Sequence, residues 1–271
     1  MTTMDFEKEL REFPAGRSGD ESMLDPMLAE GRRRLSRALK RVARPQAKVG
    51  EIDTPLGPLF VAESERGIVA VRFIDGADFD RELDALRARF DLAENRAAAN
   101  KIGDEIRRHL AGDNSALAHR IDLSLVPSEF QRRTLRALLR IPRGSVTTYR
   151  ALAEAVGAPD AQRAVGNTMA SNPVPIYVPC HRVIRSDGSL GNYGGGVERK
   201  LVLLRAEGFR VGEALKLAKE VVLGHRETGI FCRPGCPAAR RAKPGKTLIV
   251  ADSSLARGMG MRPCRVCRPL Q

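Results

Sequence analysis

Pro175-Ile176-Tyr177-Val178-Pro179-Cys180-His181-Arg182-Val183-Ile184 is an apolar run that ends in a proline and hands directly to a cysteine with histidine and arginine beside it. The run predicts a strand with a nucleophile at its end. Thiolate is the reactive form of cysteine, and a neighbouring imidazole and guanidinium predict a lowered thiol pKa. The competing reading is a buried structural cysteine beside a chance histidine, since free cysteine is among the most buried residue types.

Immediately upstream, three helices are predicted. Ser128-Glu129-Phe130 caps the first, which runs to Ile141; Pro142-Arg143-Gly144 is a turn; Thr147 or Thr148 caps the second, through Val156. After Gly157-Ala158-Pro159-Asp160 the third spans Ala161 to Ser171, and the pair joined by this tight turn has a helix-turn-helix signature. The third helix carries Gln162, Arg163 and Asn167 between the small residues Ala164, Gly166 and Ala170, so it can approach another surface closely. Asn172-Pro173 ends it, which puts a DNA-reading helix a few residues from the nucleophile.

Further out, Lys48 to Thr54, Pro58 to Ala62 and Gly67 to Ile74 read as short strands of an antiparallel meander, separated by Pro55-Leu56-Gly57 and Ser64-Glu65-Arg66-Gly67 turns. Helices at Phe79 to Phe90 and Ala97 to Leu110 complete a small α/β subdomain whose expected role is scaffold. Before it, Leu24 to Val42 is a basic helix with Arg32, Arg33, Arg34, Arg37, Lys40 and Arg41, read as a solvated face or a DNA contact. The formal charge of +13 over 271 residues points to a polyanionic partner, nucleic acid first. No run reaches the length of a spanning helix and the acidic start is unlike a secretory leader, so no membrane association and a cytoplasmic location are expected. DNA binding would add association with the nucleoid.

Phe130-Gln131, Ile141-Pro142-Arg143-Gly144, Thr148-Tyr149, Arg163-Ala164-Val165-Gly166, Asn172-Pro173, Pro179 to Ile184, Gly191-Asn192-Tyr193-Gly194-Gly195-Gly196, Lys200 and Leu203 to Gly208 resemble, in order and spacing, the O6-alkylguanine-DNA alkyltransferase family. The resemblance covers about residues 48 to 208, with Leu135 where the family often has tryptophan. It implies an RNase H-like α/β subdomain (48–126) and a mostly helical, winged-helix-like DNA-binding methyltransferase domain (127–208). It further implies single-turnover transfer of an alkyl group from O6-alkylguanine, and O4-alkylthymine, in double-stranded DNA. The lesion points into the base stack, so the nucleotide must be swung out. By the resemblance Cys180 accepts the alkyl group, His181 takes its proton through a water, and Glu207 orients that imidazole. Asn172 positions the loop, the carbonyls of Cys180 and Val183 read the guanine edge, and Tyr149 meets the rotated phosphate and base. Arg163 fills the hole in the stack, Tyr193 closes over the base, and Gln162, Asn167 and Lys200 belong to the DNA-binding set. A cysteine hydrolase and a non-catalytic lesion binder are the alternatives.

Phe209 to Val222 is read as a short, mostly helical connector, with 209–222 the linker. The remaining segment (223–271) holds Cys232-x3-Cys236 and Cys264-x2-Cys267, the spacing of a tetrahedral zinc site with four cysteine ligands. Two disulfides are the alternative. Glu227 to Ala238 and Met261 to Cys267 resemble the zinc-binding, methylphosphotriester-repair module of the Ada proteins. That resemblance implies that Cys232 is a ligand and a second methyl acceptor; a structural or DNA-docking zinc module is the other reading. The module stands C-terminal here and no AraC-type helix-turn-helix accompanies it, so no transcriptional role is expected. Zinc is the expected cofactor, and a monomer without an obligate protein partner the expected form.

Overall fold

The computed structural model describes residues 30–31, 44–76, 78–212, 214–218 and 220–269, so the basic helix expected over Leu24 to Val42 lies outside it but for two residues. Three strands form as the sequence predicts: β1 (Gln46–Thr54), β2 (Gly57–Ser64) and β3 (Gly67–Phe73). A fourth, β4 (Asp91–Glu94), joins them parallel to β1 and gives the order β3-β2-β1-β4. The sheet is therefore mixed rather than a plain antiparallel meander. β4 is short and mostly exposed, so no alternation marked it.

Both faces of this sheet are covered, because successive side chains of β2 point to opposite sides. Leu59 and Val61 enter one apolar cluster; Phe60 and Ala62 enter another, with Leu86 and Phe90. The flanking helices are α1 (Phe79–Arg87) and α2 (Arg96–Leu110). Asn95 caps α2 by accepting from the Ala98 amide at 2.9 Å. The helix crosses β1 at Gly50, where a Cβ would come within 2.7 Å of the Ala99 Cβ, so only glycine permits the approach.

The helical region follows: α3 (Glu129–Leu138), β5 (Ser145–Thr148), α4 (Tyr149–Ala155), α5 (Gln162–Ala170), β6 (Val183–Ile184) and α6 (Val197–Ala206). Thr148 rather than Thr147 caps α4, accepting from the Ala151 amide at 3.1 Å. In α5, Val165, Thr168 and Met169 are buried, leaving Gln162, Arg163 and Asn167 exposed.

The segment before the cysteine is not a strand. Pro173, Pro175 and Pro179 remove ladder donors, and Ile176 turns at φ 76°, so 173–179 is a compact loop with Val174, Ile176 and Val178 fully buried. Cys180–Arg182 is a single 3-10 turn, and β6 comes after the nucleophile, parallel to β5. Nor is the 209–222 connector helical among the described residues. It forms bridges Val211 to Leu217 and Lys216 to Ser189, and packs Phe209 with Ile184, Leu190 and Leu204.

Beyond it lie β7 (Val222–His225), β8 (Ile230–Cys232), β9 (Thr247–Val250), α7 (Ser253–Gly258) and β10 (Arg262–Pro263). They do not stand apart: one six-stranded sheet runs β10-β8-β7-β9-β5-β6. Phe231, Leu248, Val250 and Ala256 share an apolar cluster with Leu138, Val165 and Val183. Among the described residues no helix is long and apolar enough to cross a membrane.

Candidate active site and metal centre

Cys180 opens the 3-10 turn and is 4% exposed. Asn172 holds it from the end of α5: Nδ2 donates to Sγ at 3.1 Å and to the Val178 carbonyl at 2.9 Å, while Oδ1 accepts from the Val174 amide at 3.1 Å. Lys200, expected among the DNA-binding residues, is instead fully buried and donates to the carbonyls of Val183 (2.6 Å) and Leu190 (2.5 Å). It braces the loop from behind and cannot reach a duplex. The Val183 carbonyl, expected to read a base edge, thus already accepts one hydrogen bond.

His181 and Glu207 are both buried, with Nε2 and Oε1 2.9 Å apart. A carboxylate only accepts, so Nε2 carries the proton and Nδ1 is left as the basic nitrogen. That Nδ1 is buried with no hydrogen-bond partner among the described residues. Glu207 has further partners that sequence reasoning missed. Arg182 Nε and Nη2 reach its two oxygens at 2.7 to 3.1 Å, and His109 Nε2 lies 3.4 Å from Oε1. Arg143 in turn donates to His109 Nδ1 at 2.9 Å and to the Ala206 carbonyl.

This network changes the expected electrostatics of the thiol. Arg182 is spent on Glu207, and burial pushes the Cys180 thiol up, only partly offset by the Asn172 hydrogen bond and Lys200. Burial likewise pulls Lys200 down to about 8 and His181 down to about 4, the latter against the pull of Glu207. At Glu207 burial opposes ionisation, but His181, His109 and Arg182 outweigh it and hold the carboxyl well below its usual value. Cys180 is therefore a neutral thiol beside a neutral imidazole, an arrangement that needs a base. The signs fix a pH dependence. His181 binds a proton more readily unfolded than folded, so the stability its neutral form contributes is complete above about pH 6.5 and is lost as pH falls toward 4, with Glu207 adding to the loss below about 4.5. Thermal unfolding followed from pH 8 to 4 should show a falling midpoint across that window; a flat midpoint would contradict the neutral buried imidazole.

Over the thiol opens a cavity of about 550 Å³ lined by Tyr149, Arg163, Met169, Cys180, Arg185 and Tyr193, among others. Gln162 and Asn167 lie on the same exposed face of α5 as Arg163 but do not line it. Burial, then the nearby Cys180, raises the Tyr149 and Tyr193 hydroxyls, so both stay protonated. The buried Tyr193 hydroxyl sits beside the Cys180 sulfur.

The α/β subdomain grips the same loop, which no motif signalled. Arg72 Nη1 donates to the Pro173 carbonyl at 2.5 Å while its Nε pairs with Glu82 at 2.7 Å, and the Tyr177 hydroxyl donates to Glu105 at 2.7 Å. The Arg72–Pro173 and Tyr177–Glu105 pairs lie 101 and 72 residues apart in the chain, beyond the reach of local pattern.

The sulfurs of Cys232, Cys236, Cys264 and Cys267 lie within 4.8 Å of one another, as free cysteines rather than the alternative disulfides. A zinc ion about 2.3 Å from four tetrahedral sulfurs sets them about 3.8 Å apart, so the donor set fits the ion with small adjustment. Cys232 is 1% exposed and Cys267 is the most open of the four. Burial first, then Cys264 and Cys236, pushes the Cys232 thiol up, so a thiolate there requires a cation.

Three family models match the chain: the ribonuclease-like domain of 6-O-methylguanine DNA methyltransferase over 48–123, its DNA binding domain over 129–209, and the metal binding domain of Ada over 214–269. A methylated-DNA-protein-cysteine methyltransferase of Mycobacterium leprae is 40% identical over 166 residues, 61% of this chain and 95% of that protein. The bifunctional transcriptional activator/DNA repair enzyme Ada of Escherichia coli is 39% identical over 57% of this chain, but only 44% of its own length is matched. Among solved structures, Mycobacterium tuberculosis OGT in complex with DNA superposes with a TM-score of 0.50 at 35% identity, over 58% of this chain and 90% of that one. The Mycobacterium tuberculosis O6-methylguanine methyltransferase does so at 0.51 and 34%, over 60% and 93%.

Proposed function

The chain belongs to the methylated-DNA-protein-cysteine methyltransferase family, and from that premise we propose that it repairs alkylated DNA by moving the alkyl group of an O6-alkylguanine, or O4-alkylthymine, onto Cys180. The observation that carries this is a buried thiol held by Asn172 at the floor of a cavity whose rim bears Arg163 and Tyr149.

Arg163 on α5 takes the place of the extruded nucleotide, and Tyr193 closes over the base. Nδ1 of His181 removes the thiol proton through a water as sulfur attacks the alkyl carbon and the carbon–oxygen bond breaks. Glu207 fixes the tautomer and stabilises the imidazolium that forms. The guanine leaves with the electron pair of the broken bond and is reprotonated from solvent or from the hydroxyl of Tyr149, a reading supported by Tyr149 lining the cavity and staying protonated. The thioether at Cys180 is permanent, so each molecule acts once. DNA is the partner, and a one-shot monomer suffices.

A second transfer, from a DNA methylphosphotriester to Cys232, is favoured by the match to the metal binding domain of Ada. Zinc held by Cys232, Cys236, Cys264 and Cys267 would keep the sulfurs ionised and nucleophilic at neutral pH. The burial of Cys232 favours a purely structural module instead. The test is the intact mass of the zinc-loaded protein after incubation with duplex DNA carrying both lesions, with peptide mapping of added methyl groups. Methyl on Cys180 is the expected result, and methyl on Cys232 as well would establish the second acceptor. A protein bearing neither would return the hydrolase and lesion-binder alternatives.

A further inference from the structure

The four-cysteine module reaches the Cys180 site through both backbone and side chain. We propose that it is a working part of that site: β9 completes the sheet beneath the Cys180 turn, and Leu255 of α7 is a positioning residue for Glu207. The inference rests on Cys180 being the acceptor.

β5 has a module strand on one edge and the strand that follows the nucleophile on the other. Ser145 and Val146 pair with Val250 and Ile249 of β9, and the Ala251 amide donates to the Gly144 carbonyl at 3.0 Å. On the opposite edge, Thr147 and Thr148 pair with Val183 and Ile184, directly after Cys180-His181-Arg182. Without β9, β5 would keep only a two-residue parallel partner, too little to hold its register. Glu154 of α4 adds a side-chain tie, accepting from the Gly245 amide at 3.2 Å.

Leu255 presses on the segment that carries Glu207. A Cβ built on Gly144 would meet the Leu255 Cδ1 at 3.0 Å and the Glu207 carbonyl at 3.4 Å, and one on Gly208 would meet the same Cδ1 at 3.4 Å. Leu255 packs against the main apolar cluster and the one that holds Val146 and Leu204. It thus clamps the 142–144 turn onto the C-terminal end of α6, where Arg143 donates to the Ala206 carbonyl one residue before Glu207.

At the far end of the sheet the ligand Cys232 follows Phe231, which is fully buried in the shared core. Among the described residues, the apolar side chains packed on the cysteine cluster besides its own four are Ile230 and Ala239. So small a core depends on its metal to stay folded. β9 and Leu255 are packed in the larger shared clusters, so loss of the ion reaches them indirectly, by releasing β8 and β10 and thereby the β7 edge on which β9 pairs.

Hydrogen exchange and single-turnover transfer on the full chain decide this, with zinc bound, after chelation, and after zinc is restored. Chelation should speed exchange at Val146 and Thr147 and slow methyl transfer to Cys180, each by about tenfold or more, and zinc should reverse both. In the zinc-loaded protein, Leu255→Ala should lower the first-order rate constant while the amplitude stays full, and Leu255→Met should restore the rate. Unchanged exchange in β5 with an unchanged rate after chelation would overturn the coupling. A Leu255→Ala protein that loses amplitude at an unaltered rate constant would overturn the positioning role. No methyl on Cys180 in the loaded wild type would overturn the base-repair reading, and β5 exchange would then decide the coupling alone.

Discussion

Cys180→Ala is expected to abolish alkyl transfer from the base while leaving duplex affinity within about threefold of wild type. The two effects separate because the groups are separate: the nucleophile sits at the floor of the cavity, 4% exposed, whereas Gln162, Arg163 and Asn167 lie outside on α5. No neighbouring group can substitute. The nearest hydroxyls, Tyr149 and Tyr193, are held protonated by burial, and the other four cysteines belong to the metal cluster. Removing a nucleophile in a cooperating triad costs on the order of a millionfold, which for a one-shot protein is no product at all. Stability should fall by only about 1 kcal/mol, since the change deletes one buried sulfur and Asn172 keeps its bond to the Val178 carbonyl. Single-turnover transfer from O6-methylguanine duplex, beside a binding titration on the same DNA, checks both halves. Residual transfer near the wild-type rate would remove Cys180 from the reaction.

Much of this site was legible because its groups are local or carried by compact motifs. Asn172, Cys180 and His181 fall within ten residues, and the alternation of exposed and buried positions along α5 follows from its helical period. Two errors have a common origin. A Val- and Ile-rich run reads as a strand, yet its three prolines and the turn at Ile176 make 173–179 a buried loop. Adjacent His181 and Arg182 read as a cation pair for the thiol, yet one is neutral and the other faces Glu207. Lys200 enters the DNA-binding set through the family resemblance, and its bonds to two loop carbonyls depend on a fold that local pattern does not contain. The pairing of β5 with β9 is equally silent: both are four-residue strands more than ninety residues apart, and nothing in either names its partner.

Glu207→Gln should slow transfer severely, though less than loss of the nucleophile, and should destabilise the protein far more than Cys180→Ala does. The carboxylate accepts from His181 Nε2 and from both Nε and Nη2 of Arg182, with His109 at 3.4 Å. Glutamine keeps the shape but offers one acceptor and one donor. If its oxygen serves Arg182, its amide faces His181 Nε2, which must then accept, and the proton moves to Nδ1. The nitrogen needed as base is thereby occupied; a comparable tautomer reversal in a serine protease costs about 10⁴-fold, so a loss of about 10² to 10⁴ in transfer rate follows. The same substitution leaves the Arg182 guanidinium, 8% exposed, with the Ile141 carbonyl as its remaining full-strength acceptor. Breaking a buried pair from one side costs about 3 to 5 kcal/mol, which for a domain of this size lowers the melting temperature by about 6 to 20 °C. Glu207→Asp keeps the charge and the tautomer but shortens the reach, so it should recover more of the stability than of the rate. Calorimetry and single-turnover kinetics on the two variants separate these contributions. A Glu207→Gln protein that melts with the wild type would show that Arg182 is not held by this carboxylate, and one that transfers at the wild-type rate would show that His181 does not need it.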